Sequence, residues 1–242
     1  MINLKDQKIF YDPYPHALFK NVFDDEFYNE LCNDFPEDMK FDRFDFDKEN
    51  ILKQKKFSVN DENSNFKDII NNKKSIKKLY DFLSSKQFKL NIIEVLEKNS
   101  IKLQKNFSQS ILRKIYDLIY SKKKFGFEFS MISSDGGFIK PHTDGADKLI
   151  SFVMPIIEDS KISKILESGT KILKATDNKF KYNILNSTVP FEFTETVREI
   201  PFDRNQLFLF VKTHNSLHSV GPMQGSDNKN LMRKSINFFI YK

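Results

Sequence analysis

The spacing of apolar residues changes character near Phe125. Before that point apolar positions recur three and four residues apart, the period of helices; after it they alternate or run unbroken, as in strands. Asp24 stands where an N-cap is expected, followed by Asp25 and Glu26 in a first turn whose dipole favours acids. Phe27, Leu31 and Phe35 then share one face until Pro36 ends the helix. Ile76, Leu79, Tyr80 and Leu83 fall at i, i+3, i+4 and i+7. Phe88, Ile92, Val95 and Leu96 form a second such stripe, and Ile111, Ile115, Leu118 and Ile119 a third. Stripes of this kind are packing faces. Phe10 to Phe19 reads as an extended lead-in punctuated by Pro13 and Pro15. Glu37 to Asn65 has no clear period and reads as loop-rich, with Phe41, Phe44 and Phe46 available for packing.

From Phe125 the strand rhythm takes over. Phe125, Phe127, Phe129 and Met131 alternate with Gly126, Glu128 and Ser130. Ser133 to Gly137 is a turn, and Phe138 to Asp144 continues as an extended segment. Leu149 to Ile157, Thr170 to Ala175, Phe191 to Ile200, Leu207 to Val211 and Ser235 to Tyr241 are further strand candidates. No internal repeat is evident. The expectation is one domain over residues 1–242, α+β in class, with a mainly helical part (1–122) bracing an antiparallel β part (123–242).

Composition narrows the classes. The 242 residues include 26 Phe and no Trp, so the aromatic core is phenylalanine-based. The formal charge of +6 is spread along the chain, with no dense Lys/Arg cluster interleaved with aromatics, which disfavours a nucleic-acid partner. A single cysteine, Cys32, excludes an internal disulfide and suits a reducing compartment; it reads as a small core residue. The N-terminus lacks a signal-peptide core, and the longest near-apolar run, Leu149 to Ile157, is too short to span a bilayer. A soluble, cytoplasmic protein is expected.

The chemistry concentrates in Lys140-Pro141-His142-Thr143-Asp144-Gly145 and in His218. Residues i and i+2 of an extended segment point the same way, so His142 and Asp144 can reach one ion, with His218 as a third ligand. Two imidazoles and one carboxylate are the facial triad that leaves half of an octahedral iron site open. Fifteen residues after His218, Arg233 and Ser235 share a face of the last strand. A guanidinium with a hydroxyl beside it clamps a carboxylate.

His142-x-Asp144, Ser216-Leu217-His218-x-Val220-x-Pro222 and Arg233-x-Ser235 together resemble the Fe(II)/2-oxoglutarate-dependent dioxygenases, in particular their prolyl-4-hydroxylase-like branch. Pro13-Tyr14-Pro15-His16, followed by Asn21-Val22-Phe23 and a helix, is similar to that branch as well. The resemblance implies a double-stranded β-helix (jelly-roll) core. It implies His142, Asp144 and His218 as Fe(II) ligands and Arg233 with Ser235 as the binding pair for the distal carboxylate of 2-oxoglutarate. The implied reaction uses dioxygen and 2-oxoglutarate to hydroxylate an unactivated C–H bond of a peptidyl proline or other side chain, an amino acid or a sugar-like small molecule, and releases succinate and carbon dioxide, with ascorbate as a candidate reductant.

Two departures from the branch stand out. Ser130-Met131-Ile132-Ser133 holds no tyrosine where the branch often has one for the co-substrate, and the interval from His218 to Arg233 is enlarged by Gln224 to Asn230. Other readings of the same residues are a zinc hydrolase using the three ligands to activate water, and a non-catalytic jelly-roll binding protein. His214 competes with His218 as a ligand, but the motif context favours His218. His16 is expected to be structural and Thr143 packed, and Lys140 and Lys234 are expected to point to solvent. Asn183, Asn186 and Thr188 fall in a stretch where such folds place substrate contacts. The residues choose neither the substrate nor the oligomeric state.

Overall fold

Alternating phenylalanines give one large β-sheet a dry face, and the N-terminal helices cover it. The computed structural model describes residues 2–5, 7–36, 42–44, 55–101, 125–157, 166–183, 186–224 and 231–241. The third helical stripe, Ile111 to Ile119, lies outside them, as do Phe41, Phe46 and most of the enlarged turn before Arg233. In the first part, β1 (Gln7–Phe10), β2 (His16–Lys20), α1 (Asp25–Asp34), β3 (Asp42–Phe44) and β4 (Lys56–Asn60) precede α2 (Phe66–Asn72), α3 (Lys74–Leu83) and α4 (Lys86–Lys98). The second part holds β5 (Phe125–Ser133), β6 (Ile139–His142), β7 (Lys148–Ile156), β8 (Thr170–Ala175), β9 (Thr194–Ile200), β10 (Gln206–Val211), β11 (His218–Val220) and β12 (Met232–Tyr241).

The strands make two antiparallel sheets, so the chain is mixed α and β as the sequence suggests. The larger runs β1-β2-β10-β7-β12-β5-β4-β3 and the smaller β6-β11-β8-β9. Strands β5 to β12 pass back and forth between the two, and β1 to β4 extend the larger sheet at both edges.

The first part is therefore less helical than its periodicity suggests. The lead-in is a pair of strands: Ala17, Leu18 and Phe19 of β2 are all buried, so that segment shows no alternation. The stretch expected as loop-rich contains β4, whose register on β5 runs Lys56↔Ile132 to Asn60↔Glu128.

Helix α1 forms as expected, with Asp24 Oδ1 accepting from the Phe27 amide at 2.8 Å. Its buried face carries Phe27, Tyr28, Leu31 and Cys32. With Ile76, Leu79, Leu83, Phe88, Ile92 and Leu96 from α3 and α4, it packs on Phe127, Phe129, Phe152, Leu209, Ile236 and Phe238 of the sheet. Phe152 and Phe238 stand directly opposite on β7 and β12 and stack at 4.4 Å, and Phe88 sits 5.8 Å from each ring. Tyr28 joins helix to sheet by polar bonds: its hydroxyl donates to the Pro155 carbonyl at 2.9 Å and accepts from the Ile157 amide at 3.1 Å.

The opposite face of the large sheet meets the small one. Ile172 and Ile200 of the small sheet pack with Leu18, Phe208 and Phe210 of the large one, and Ile132 packs with Val220 at another edge. Between these apolar contacts the sheets leave room for a cavity. No helix among the described residues is long and apolar enough to cross a membrane.

Phe88 is the ring on which helix α4 and two sheet strands converge. Phe88→Ala is expected to destabilise the protein by about 3–5 kcal/mol, the usual cost of deleting a buried aromatic. The midpoint of urea denaturation, followed by circular dichroism, measures it.

Candidate metal centre

Antiparallel pairing of β6 and β11 sets His142 directly opposite His218, with ring centroids 4.3 Å apart. Each imidazole is oriented by the carbonyl two residues before it. His142 Nδ1 lies 2.8 Å from the Lys140 carbonyl and His218 Nδ1 3.0 Å from the Ser216 carbonyl. A neutral ring that donates through Nδ1 keeps its lone pair on Nε2. Strand β6 ends at His142, and Asp144 lies two residues beyond it, before the turn at 146–147. One ligand atom from each of His142, Asp144 and His218 falls within 4.8 Å of the other two. His214, by contrast, is exposed and stacks on Tyr182 at 4.8 Å, away from this cluster.

The segment before His218 is fixed from below. The buried Tyr14 hydroxyl donates to the Leu217 carbonyl at 2.8 Å, and the Leu173 amide donates to the same oxygen at 3.0 Å. The turn after β11 needs glycine: Gly221 has φ of +67°, and a Cβ there would come within 2.6 Å of the Gly137 carbonyl. On the other side of the cluster, Ser151 of β7 donates to Asp144 Oδ2, and Lys148 Nζ lies 3.2 Å from Asp144 Oδ1. Lys148 also sits 3.4 Å over the Phe239 ring.

Electrostatics leave the three side chains in the protonation state that a divalent cation requires. Burial, reinforced by the neighbouring His218, pushes the His142 imidazole down to about 3. Burial likewise lowers His218. Burial alone would raise the Asp144 carboxyl, but Lys148 and the two histidines hold it well below the usual carboxylate range. Two neutral imidazoles and one carboxylate suit iron(II), and the free Nε2 atoms give them the directions they need.

A cavity of about 260 Å³ opens beside the cluster, between the sheets. Arg233 reaches into it from β12 and is 2% exposed. Its Nε donates to the Ser168 carbonyl at 2.7 Å, Nη2 lies 3.5 Å from Thr170 Oγ1, and the guanidinium stacks 4.0 Å over Phe202. Burial pulls it down to about 9, with no acidic side chain contributing. Among the described residues, then, no carboxylate answers its charge.

Ser235 shares the inner face with Arg233 but does not line the cavity; its hydroxyl is enclosed and without a partner. The hydroxyl at the cavity surface beside Arg233 is that of Thr170. No single strand pattern marks Thr170, because it meets Arg233 only across the two sheets. No tyrosine lines the cavity among the described residues.

Lys140 corrects an expectation. It lines the cavity rather than facing away, because residues 140 and 142 have the same parity on β6. Lys234 lies on the opposite, helix-covered side, 5.4 Å over Phe35. Asn186 and Thr188 do reach the cavity, whereas Asn183 is buried and braces their loop through two bonds to Ser187. Thr143 is packed, donating to the Asn183 carbonyl at 2.8 Å. His16 is buried among aromatic rings, with Nδ1 2.8 Å from the Tyr14 carbonyl, and Cys32 is buried on α1.

No family model matches the chain. No curated protein matches it either. Solved structures do. A prolyl hydroxylase from Trichoplax adhaerens, in complex with a hypoxia inducible factor oxygen degradation domain peptide fragment, superposes with a TM-score of 0.53 at 11% identity, covering 93% of this chain and 83% of that one. A putative 2OG-Fe(II) oxygenase family protein from Caulobacter crescentus gives 0.49 at 10% identity, covering 93% and 77%. A prolyl-4-hydroxylase from Pseudomonas putida gives 0.45 at 11% identity, covering 96% and 95%. The first of these establishes a shared fold.

Ser151 holds one carboxylate oxygen of Asp144 and, among the described residues, makes no hydrogen bond to either histidine of the cluster. Ser151→Ala is expected to weaken binding of a divalent cation about 10- to 100-fold, as loss of a ligand's supporting hydrogen bond does elsewhere. Calorimetric titration of Mn(II) into the full chain measures it, and unchanged affinity would remove Ser151 from this role.

Proposed function

We propose that the protein is an Fe(II)- and 2-oxoglutarate-dependent dioxygenase that hydroxylates an unactivated C–H bond. The observation that carries this is the unanswered guanidinium of Arg233 in the same cavity as the His142–Asp144–His218 cluster. A buried guanidinium with no counter-charge is costly even when a carbonyl and a ring contact it, and a site that keeps one suits an anion delivered from outside. A metal cluster alone fits a zinc hydrolase as well; the metal cluster together with a carboxylate clamp fits a keto-acid co-substrate.

In this reading the strands β5 to β12 form a double-stranded β-helix, supported by their passage between the two sheets. Residues 1–122 and 123–242 work as one domain, with α1 to α4 packed on the large sheet. With iron(II) held at the cluster, dioxygen would be the oxidant: one oxygen atom would enter the C–H bond and the other would go into 2-oxoglutarate, which would leave as succinate and carbon dioxide. The chain's own residues do the positioning. His142 and His218 present Nε2, each ring locked through Nδ1. Asp144 gives the third ligand, kept ionised by Lys148 and oriented by Ser151. Arg233 receives the distal carboxylate, Phe202 fixes the plane of its guanidinium, and Thr170 offers the hydroxyl beside it. Ser235, two residues on along the same strand with its hydroxyl unbonded among the described residues, is the second member of the clamp in this reading.

Anaerobic addition of Fe(II) and 2-oxoglutarate is expected to produce the weak visible charge-transfer band of the chelate. His218→Ala and Asp144→Ala should lose the band, and Asp144→Ala should also abolish turnover; His214→Ala should keep the band. Arg233→Ala should weaken 2-oxoglutarate far more than Fe(II), by about tenfold or more, the loss expected for a charge-assisted pair. Tight zinc binding with no band would favour the hydrolase reading.

A further inference from the structure

A lysine is fastened to the carboxylate of the metal cluster. The Lys148 amide donates to the Gly145 carbonyl at 3.1 Å, closing a tight turn between Asp144 and β7. That turn folds the lysine side chain back onto the ligand, with Nζ 3.2 Å from Asp144 Oδ1 and the two side chains only 17% and 10% exposed. The Phe239 ring offers the ammonium a second contact, at 3.4 Å. Phe239 is itself confined. Gly126 stands opposite it on β5, where a Cβ would come within 3.2 Å of that ring and 2.8 Å of the Tyr241 hydroxyl. The ammonium thus has a defined seat on one carboxylate oxygen, while Ser151 takes the other.

Two neutral imidazoles and one carboxylate offer a cation a single negative charge. With Lys148 counted, the group is neutral. Burial is the main cause of the lowered histidines, and Lys148 adds to it in both; on Asp144, burial raises the carboxyl and Lys148 is the largest opposing influence. The lysine therefore acts on a metal in two opposite ways. It helps to free Asp144 of its proton, and that effect is spent well below neutral pH. It also repels whatever cation the ligands hold, and the repulsion grows with the charge of that cation. A trivalent ion is penalised more than a divalent one.

We infer that Lys148 is a positioning residue that sets the charge of the metal: acting through Asp144, it holds the site to a divalent ion and keeps bound iron ferrous. The inference rests on the reading of His142, Asp144 and His218 as metal ligands, and iron(II) is the state from which the proposed reaction starts.

The test has two readouts besides turnover. Calorimetry gives the affinity of the full chain for Mn(II) and Zn(II). Anaerobic spectroelectrochemical titration without 2-oxoglutarate gives the midpoint potential of bound iron, the ferric ion taking one electron from a mediator dye. Lys148→Met, similar in length and uncharged, is expected to bind both divalent ions about tenfold or more tightly. Its potential should fall by about 59 mV or more, the one-electron equivalent of a tenfold change in the ferric-to-ferrous binding ratio. Lys148→Gln should behave alike, and Lys148→Arg, which keeps the charge, should keep the potential. Ser151→Ala separates charge from mere support of Asp144, because it weakens the divalent ions where Lys148→Met tightens them. An unchanged or raised potential in Lys148→Met, or divalent affinity weakened as in Ser151→Ala, would overturn the inference and leave Lys148 a structural brace. A wild-type chain that binds no divalent ion overturns it together with the metal centre. Metal binding with no charge-transfer band on adding 2-oxoglutarate counts against the oxygenase reading alone, since neither readout uses the co-substrate.

Discussion

The register of β6 against β11 is the constraint on which the site depends. Side chains alternate across a strand, so a slip of one residue would turn either His142 or His218 away from the cavity. Strand β11 spans only His218 to Val220, too few residues to hold a register by itself. It is held from outside: by pairing on its other edge with β8, by two donors on the Leu217 carbonyl, and by the tight approach of Gly221 to Gly137. One of those donors is Tyr14, from the segment leading into β2. The N-terminal segment thus braces the candidate metal centre without adding a side chain to the cluster.

The large sheet does two incompatible jobs by giving each to one face. On β5, Phe127, Phe129 and Met131 face the helices while Glu128 and Ser130 face the cavity. On β12, Ile236, Phe238 and Ile240 alternate with Arg233 and Asn237 in the same way. Packing on the dry face supplies the stability that the wet face spends, since a buried guanidinium and orphan acceptors are unfavourable until a ligand meets them.

What the sequence displays follows from how local each signal is. Asp144 joins His142 from beyond the end of β6, where strand parity no longer applies, whereas the shared face of Arg233 and Ser235 is legible because it depends on parity within one strand. The dry face of β5 is legible for the same reason. Strand β4 is not, because its alternation spans only Phe57 and Val59 within charged surroundings, and its other face is polar cavity wall. Strand β2 hides behind burial on both sides and the prolines before it. The short α2 has too few turns to show a period. Lys140 was open to the parity argument that places His142, since the two share a face. Thr170 and Phe202 were beyond any such argument: their value lies in touching Arg233 across the gap between sheets, and that gap is a property of the packing.

Charge distribution divides the labour within the cavity. Each acid on its wall has a cation beside it, Lys148 for Asp144 and Lys56 for Glu128. Arg233 is the cation that no acid among the described residues answers. A net positive cavity draws a dianion such as 2-oxoglutarate from a distance, because a field confined between low-dielectric walls is focused rather than screened.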